Sequence, residues 1–252
     1  MPRPEILALI PARGGSKSIP RKNLLPVLGR PLIAYSIAQA LASRHVTRTI
    51  VSTDDDEIEA VAREHGAEVP FRRPGMYAED RSPDLDVFRH ALDWLVEHER
   101  YTPDLVVHLR PTGPVRRVDR IDEAVALMLA HPEADSLRSV GMPAQSPYKM
   151  WRIEGGRLQP LLQIPGVAEP HSSPRQGLPP VYWQNGYVDI IRPRVVLEQG
   201  RMAGACVLPF IVTEPVLELD YPETIPEIEA ALLALERGEW PRATAADVRH
   251  PV

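Results

Sequence analysis

A chain of 252 residues with 44% hydrophobic and 25% charged side chains is sized for one large folded domain, or one domain with an arm. Its formal net charge of -5 excludes nucleic-acid binding through bulk positive charge, so any anion site must be a local cluster of cations. The one cysteine, Cys206, cannot close an internal disulfide, and no apolar stretch approaches the length of a membrane span.

The first apolar run, residues 6–10, is too short for a helix and reads as a buried parallel strand. It is also too short for a secretory signal, so the expectation is a cytoplasmic protein with no membrane partner. Pro11 ends the run, and Gly14, Gly15, Ser16 and Ser18 follow among the cations Arg13, Lys17, Arg21 and Lys22. A strand opening into a loop of small residues lets backbone N–H groups approach an anion, and the cations neutralise it. Polyphosphate binding is the chemistry this pattern suits. A P-loop is excluded because the leading glycine of G-x-x-x-x-G-K-[ST] is missing. A dinucleotide fingerprint is excluded because no third glycine follows and Pro20 blocks a helix start.

Pro31 suits a first helical residue, with Leu32, Ile33, Ile37, Ala38 and Leu41 on the buried face. Residues 49–52 read as a second strand, followed by Asp54, Asp55 and Asp56 and a helix through Glu64. The three aspartates fit an N-cap and first-turn acids better than a second metal site. Gly66 ends that helix, and residues 67–71 are expected to form a third strand. An amphipathic helix with Leu85, Phe88, Leu92 and Leu95 inward precedes a strand over residues 104–109. A helix over 121–129 and a strand over 136–140 continue the alternation. Strands alternating with helices of this length indicate βαβ units and a parallel sheet.

The rhythm stops at Gly141. Residues 141–180 hold eight prolines, and the turn Glu154-Gly155-Gly156 suggests a hairpin between residues 149–153 and 158–162. Met150, Trp151 and Leu161 on so irregular a segment need an apolar surface, for which a partner subunit is one candidate. Residues 181–191 return to the sheet and 207–212 form a further strand. Cys206 lies in the apolar run 205–210 and reads as core rather than as a nucleophile. Glu218 and Asp220 alternate along an extended segment, which sends both carboxylates to one face, ahead of a last helix with Ile225, Ile228, Ala231, Leu232 and Leu235 inward. The tail from Pro241 is expected to be loose. Ligands of open α/β sheets bind beyond the carboxyl ends of the strands. Residues 11–23, 52–56, 72–80, 110–114 and 218–220 should therefore meet at one crevice.

The residue order in these segments resembles the acylneuraminate cytidylyltransferase family. Ala12-Arg13-Gly14-Gly15-Ser16-Lys17, then Ile19-Pro20-Arg21-Lys22-Asn23, is similar to its opening signature, with Ser18 where the family has glycine. Leu109-Arg110-Pro111-Thr112-Gly113-Pro114-Val115-Arg116 is similar to its L-Q-P-T-S-P-L-R. Pro174-Arg175-Gln176-Gly177-Leu178-Pro179 with Asn185-Gly186, and Glu218-Leu219-Asp220 in place of D-I-D, resemble its later motifs. The resemblance implies a doubly wound, mainly parallel α/β sheet of the nucleotide-diphospho-sugar transferase type, built from residues 1–140 and 181–240. Residues 141–180 would be a projecting dimerisation arm in a homodimer.

It further implies transfer of CMP from CTP to a sialic acid-like 2-keto sugar acid, with pyrophosphate released. Ala12, Arg13, Gly14, Ser16, Lys17, Lys22, Asn23, Arg73 and Thr112 would bind CTP. Arg110, Lys149, Arg175 and Asn185 would face the acceptor. Glu218 and Asp220 would hold Mg2+, and Arg13, Lys22 and Asp220 would carry the catalysis. Two departures bear on the acceptor: Arg110 replaces a glutamine, and Asp80-Arg81-Ser82-Pro83-Asp84 replaces the frequent D-T-A-S-S. A cation at 110 favours an extra anionic or acceptor-rich group, so another acid such as a phosphonate is the alternative acceptor. A catalytically silent nucleotide-binding protein is the alternative of another class.

Overall fold

The computed structural model describes residues 3–239, so the tail expected from residue 241 lies outside the described residues. In chain order the elements are β1 (Ile6–Pro11), β2 (Pro26–Val27), β3 (Arg30–Pro31), α1 (Leu32–Ala42), β4 (Arg48–Ser52), α2 (Asp56–Glu64), α3 (Asp84–Glu99) and β5 (Leu105–His108). There follow α4 (Val118–Ala130), β6 (Ser136–Gly141), β7 (Trp151–Glu154), β8 (Arg157–Pro160), β9 (Trp183–Ile191), α5 (Pro193–Leu197), β10 (Val207–Ile211) and α6 (Ile225–Glu236). Six strands form one sheet in the order β10-β6-β9-β5-β1-β4. All its pairings are parallel except those of β9, which runs antiparallel between β5 and β6.

The apolar strands follow from a sheet covered on both faces. In β1, Ile6, Ala8 and Ile10 pack with α1, α2 and α4, while Leu7 and Leu9 pack on the opposite face with α3 and α5. Each fully buried Leu or Ile on these faces contributes ~1.5–3 kcal/mol of hydrophobic stabilisation. A third cluster joins Leu32 and Tyr35 of α1 to Ile228, Ala231 and Leu232 of α6, with Leu219 buried between them. That packing carries residues 217–220 back to the ends of the central strands.

Three sequence expectations fail. Leu41, placed by its spacing on the buried face of α1, is 52% exposed near the C-terminal end of that helix. Residues 67–71 form no strand: Glu68 makes a single parallel bridge to Ile50, and β4 is left as the sheet edge. Pro70 lacks the N–H a longer ladder needs, and the chain turns away to Arg73. Cys206 is exposed, because the strand it precedes, β10, is the other edge and has Val207 and Pro209 outward. The hairpin between residues 149 and 162 is present as β7 and β8, and it lies outside the main sheet. Its strands are almost wholly exposed, Ile153 by 77% and Leu158 by 58%. Among the described residues no helix is long and apolar enough to cross a membrane.

Candidate active site

β4, β1 and β5 are mutually parallel, so their carboxyl ends lie together. The loops leaving them wall a cleft of about 310 Å3 that includes Arg13, Ser16, Lys22, Asn23, Arg73, Arg110 and Thr112. Of the segments expected to meet there, residues 11–23, 72–80 and 110–114 line this cleft, with seven of the anticipated site residues, whereas residues 52–56 and 218–220 do not line it. Ala12 supports from below: it is fully buried, and its N–H donates to the Ser52 carbonyl at 2.9 Å.

The opening loop is clasped by carboxylates. The Gly14 N–H donates to Asp54 at 3.0 Å, and a Cβ on Gly14 would stand 2.5 Å from an Asp55 carboxylate oxygen. Asp55 in turn caps α2, accepting from the N–H groups of Glu57 at 3.1 Å and Ile58 at 3.0 Å, and it pairs with Arg21. The aspartate triplet is thus a helix cap that also holds the loop. Arg13 reaches Asp80 at 2.9 Å, and Lys17 pairs with the same carboxylate and holds its pKa below the usual range. Asn23 Nδ2 donates to the Arg13 carbonyl at 2.9 Å, which fixes the direction of the arginine. Arg73 is 4% exposed and donates to the Ser52 and Tyr77 carbonyls, and burial brings its pKa down to about 10.

The carboxylate pair arrives from the far end of the chain. The Leu219 N–H donates to the Thr112 carbonyl at 2.7 Å, so Glu218 and Asp220 are set beside the loop after β5. Lys22 Nζ lies 3.2 Å from Asp220 Oδ1, which ties the opening loop to the pair. Burial, and then the neighbouring Asp220, push the Glu218 pKa up. Two carboxylates brought together, one of them partly buried, repel one another, and a divalent cation held by both relieves that repulsion. Among the described residues no group of three or more His, Cys, Asp or Glu is arranged for a metal. Mg2+ takes one or two carboxylates and completes its shell with phosphate oxygens and water, and two carboxylates are what this segment offers.

Beyond Arg110 lies a polar layer that pattern reading missed. Arg110 Nη1 donates to Asp189 at 2.9 Å, and Nη2 reaches Asp84 at 3.4 Å. Asp189, fully buried, also accepts from Gln184 Nε2 at 3.0 Å and pairs with Arg138 at 3.1 Å. His108 is 1% exposed, and neither ring nitrogen has a hydrogen-bond partner among the described residues. Burial, and then Arg110, Arg138 and Arg116, push its pKa well down, so the imidazole is neutral at pH 7. The available signal was a charged residue inside an apolar strand: His108 after Val106-Val107, and Asp189 between Val188 and Ile190. The loop bearing Arg110 is held from behind by buried Arg116, which donates to the Arg110 carbonyl at 3.2 Å and to Gln39 Oε1 at 2.7 Å.

Three anticipated acceptor residues stand apart from this cleft. Asn185 lines a neighbouring cavity of about 600 Å3 with Trp183 and Glu214. It adjoins Gly186, where a Cβ would stand 3.1 Å from Glu218 and 3.3 Å from Arg110. Lys149 is exposed on the irregular segment. Arg175 donates to the carbonyls of Pro143 at 3.0 Å and Ala144 at 3.4 Å and lines a third cavity with Met142 and Leu178. Within one chain, neither Lys149 nor Arg175 lines the cleft at the strand ends.

Comparison with known proteins gives the architecture its relatives. The cytidylyltransferase family matches residues 7–126. The pseudaminic acid cytidylyltransferase of Campylobacter jejuni is 40% identical over 118 residues, 47% of this chain and 50% of that protein. The N-acylneuraminate cytidylyltransferase of Escherichia coli is 38% identical over 125 residues, 50% of this chain and 28% of that protein. The chain thus spans about half the length, or less, of these curated relatives. Among solved structures, CMP:2-keto-3-deoxy-manno-octonic acid synthetase complexed with CTP superposes with a TM-score of 0.67 at 19% identity, covering 92% of this chain and 99% of that one. Residues 7–126 match the cytidylyltransferase family model, the chain is similar over about half its length to cytidylyltransferases of acylneuraminate-like acids, and it shares the fold of the synthetase complexed with CTP.

Proposed function

We propose that the protein is a CTP-dependent nucleotidyltransferase that joins CMP to a 2-keto sugar acid and releases pyrophosphate. The observation that carries this reading is the contact of Lys22 with Asp220, which ties the cationic loop lining the cleft to the carboxylate pair. Relatives named for pseudaminic acid and N-acylneuraminate, and a structural neighbour complexed with CTP, support CTP and an acidic sugar as substrates.

In this reading Arg13, Lys17 and Lys22 bind the triphosphate, and Asp80 gives up Arg13 and Lys17 as the phosphates enter. Asn23 and the clasp of Gly14 on Asp54 keep the loop in place while charge changes in front of it. The acceptor hydroxyl attacks the α-phosphorus, the bond to the β-phosphate oxygen breaks, and the leaving pyrophosphate is stabilised by the same cations. Glu218 and Asp220 would hold Mg2+, which supplies charge neutralisation at the α-phosphate when bound. Arg110 and Asn185 orient the acceptor.

A homodimer belongs to the same proposal. Exposed Trp151, Ile153, Leu158 and Leu162 on the irregular segment offer an apolar face to a second copy. Lys149 and Arg175 would then serve the acceptor site of the partner rather than their own. The cytoplasm, where CTP is made, is the compartment this activity requires.

Pyrophosphate release from CTP and Mg2+ with a panel of 2-keto sugar acids tests the reading, and absence of release with every acid would sink it. Asp220→Ala should lower kcat about 10²–10³-fold, the range for removing one group that stabilises transition-state charge. A fully active variant would remove Asp220 from the chemistry.

A further inference from the structure

The layer around Arg110 decides what kind of acceptor group this chain can take. An arginine lining a substrate cleft is ordinarily read as a counter-ion for a ligand anion. Here its charge is already answered. Arg110 shares buried Asp189 with Arg138, and its other arm reaches Asp84. With buried Arg116 and Glu218 counted, three guanidiniums face three carboxylates, and His108 beside them is neutral. Asp189 is fully buried and accepts from Arg110, Arg138, Gln184 and the Ser139 N–H at 3.4 Å, so it has no spare capacity to move. The Arg110 guanidinium is thereby pinned by one carboxylate while remaining a quarter exposed to the cleft. Gly186 presents no Cβ beside it, which leaves the guanidinium open toward Glu218.

We propose that Asp189 is a positioning residue that turns Arg110 into a fixed, charge-compensated hydrogen-bond donor, selecting an acceptor with a neutral oxygen at that point rather than a second anion. This rests on the cytidylyltransferase reading and narrows it to 2-keto sugar acids whose substituent here is an acyl carbonyl or a hydroxyl. A carbonyl oxygen can take a guanidinium N–H without needing net positive charge. A phosphate or phosphonate needs that charge, and meets the Asp84 carboxylate and the field of buried Asp189 instead. The second-anion preference that Arg110 suggests in the sequence alone is thus reversed by what surrounds it.

The test compares initial rates of pyrophosphate release with a 2-keto sugar acid and with its terminal phosphate ester, at fixed CTP and Mg2+. Wild-type protein should prefer the unphosphorylated acid. Asp189→Asn leaves the layer with one uncompensated positive charge, and should shift the ratio of kcat/KM about tenfold toward the phosphate ester. Asp84→Asn, at a half-exposed helix start that tolerates the change, should shift it in the same direction. KM for CTP should stay within about twofold in both. On an Arg110→Gln background, Asp189→Asn should add nothing further to the acceptor KM, as expected for a residue acting through Arg110. A wild-type preference for the phosphate ester, an unchanged ratio in both variants, or a CTP KM that moves with the acceptor KM would overturn the proposal. Wild-type release with neither acid would instead overturn the underlying reading, and this inference with it.

Discussion

Glu218 is a carboxylate held where its own charge is unwelcome, with burial and Asp220 both raising its pKa. The sign of the stability effect follows. A folded pKa above the unfolded value of 4.5 favours the protonated folded state, so folding is progressively disfavoured as pH rises from 4.5 through the folded value. At pH 7 without divalent cation, Glu218→Gln should therefore raise the melting temperature, by the equivalent of about 0.5–1 kcal/mol. Mg2+ should raise the melting temperature of the wild type and have little effect on the variant. Thermal melts with and without Mg2+ check both, and a variant that melts lower would show that the carboxylate is structural. The residues of this site were unequally legible. Arg13, Lys22 and the Glu218–Asp220 pair are short local patterns, and each was readable in the chain. The partnership of Arg110 and Arg138 through Asp189 was not, because the two arginines come from separate segments that only the folded sheet brings to β9.

At the scale of elements, the opening loop works as part of α2 rather than as a free loop. Asp55 caps that helix and leaves no room for a Cβ on Gly14. Gly14→Ala should lift the loop from the helix start, raise KM for CTP about tenfold, and lower stability by about 1–3 kcal/mol. Steady-state kinetics with chemical denaturation check this, and a silent substitution would mean that the two elements are not coupled. Element type was legible wherever a segment is buried on a regular period, as in β1, β4, β5, α3 and α4. It failed at the margins. Residues 67–71 have strand composition, but they lie beyond edge strand β4 and make only one bridge to it. Cys206 lies in an apolar run of the kind that fills cores, yet it enters the opposite edge and is exposed. Composition reports a residue's preference, and edge position is a property of the whole sheet.

For the whole molecule, the strand order matters more than the strand count. β5 and β6 are successive strands of the main sheet in the chain, yet they are not neighbours, because β9 fills the place between them with its direction reversed. A chain ending at residue 180 would therefore retain all the cations of the opening loop and yet lack the strand that joins the two halves of the sheet. Such a chain should give a broad, aggregated profile in size-exclusion chromatography and no cooperative melt, whereas the full chain should give both a defined peak and a single transition. A soluble, cooperatively folded truncate would show that β4, β1 and β5 stand alone. The strand order was invisible in the sequence, which carries no mark of where a late strand inserts.

The position of β9 also sets a schedule. As the chain leaves a ribosome, β5 is complete at residue 108, but the strand that covers its open edge begins 75 and ends 83 residues later. At synthesis rates of ~5–20 residues/s, that edge is unpaired for roughly 4–17 s. During this interval the nascent protein presents Val106 and Val107, with a row of unpaired N–H and C=O groups, to any passing strand. Slower translation through the proline-rich residues 141–180 lengthens the interval. Yield of the folded protein should accordingly depend on how quickly the ribosome crosses that segment and on whether a chaperone guards the open edge meanwhile.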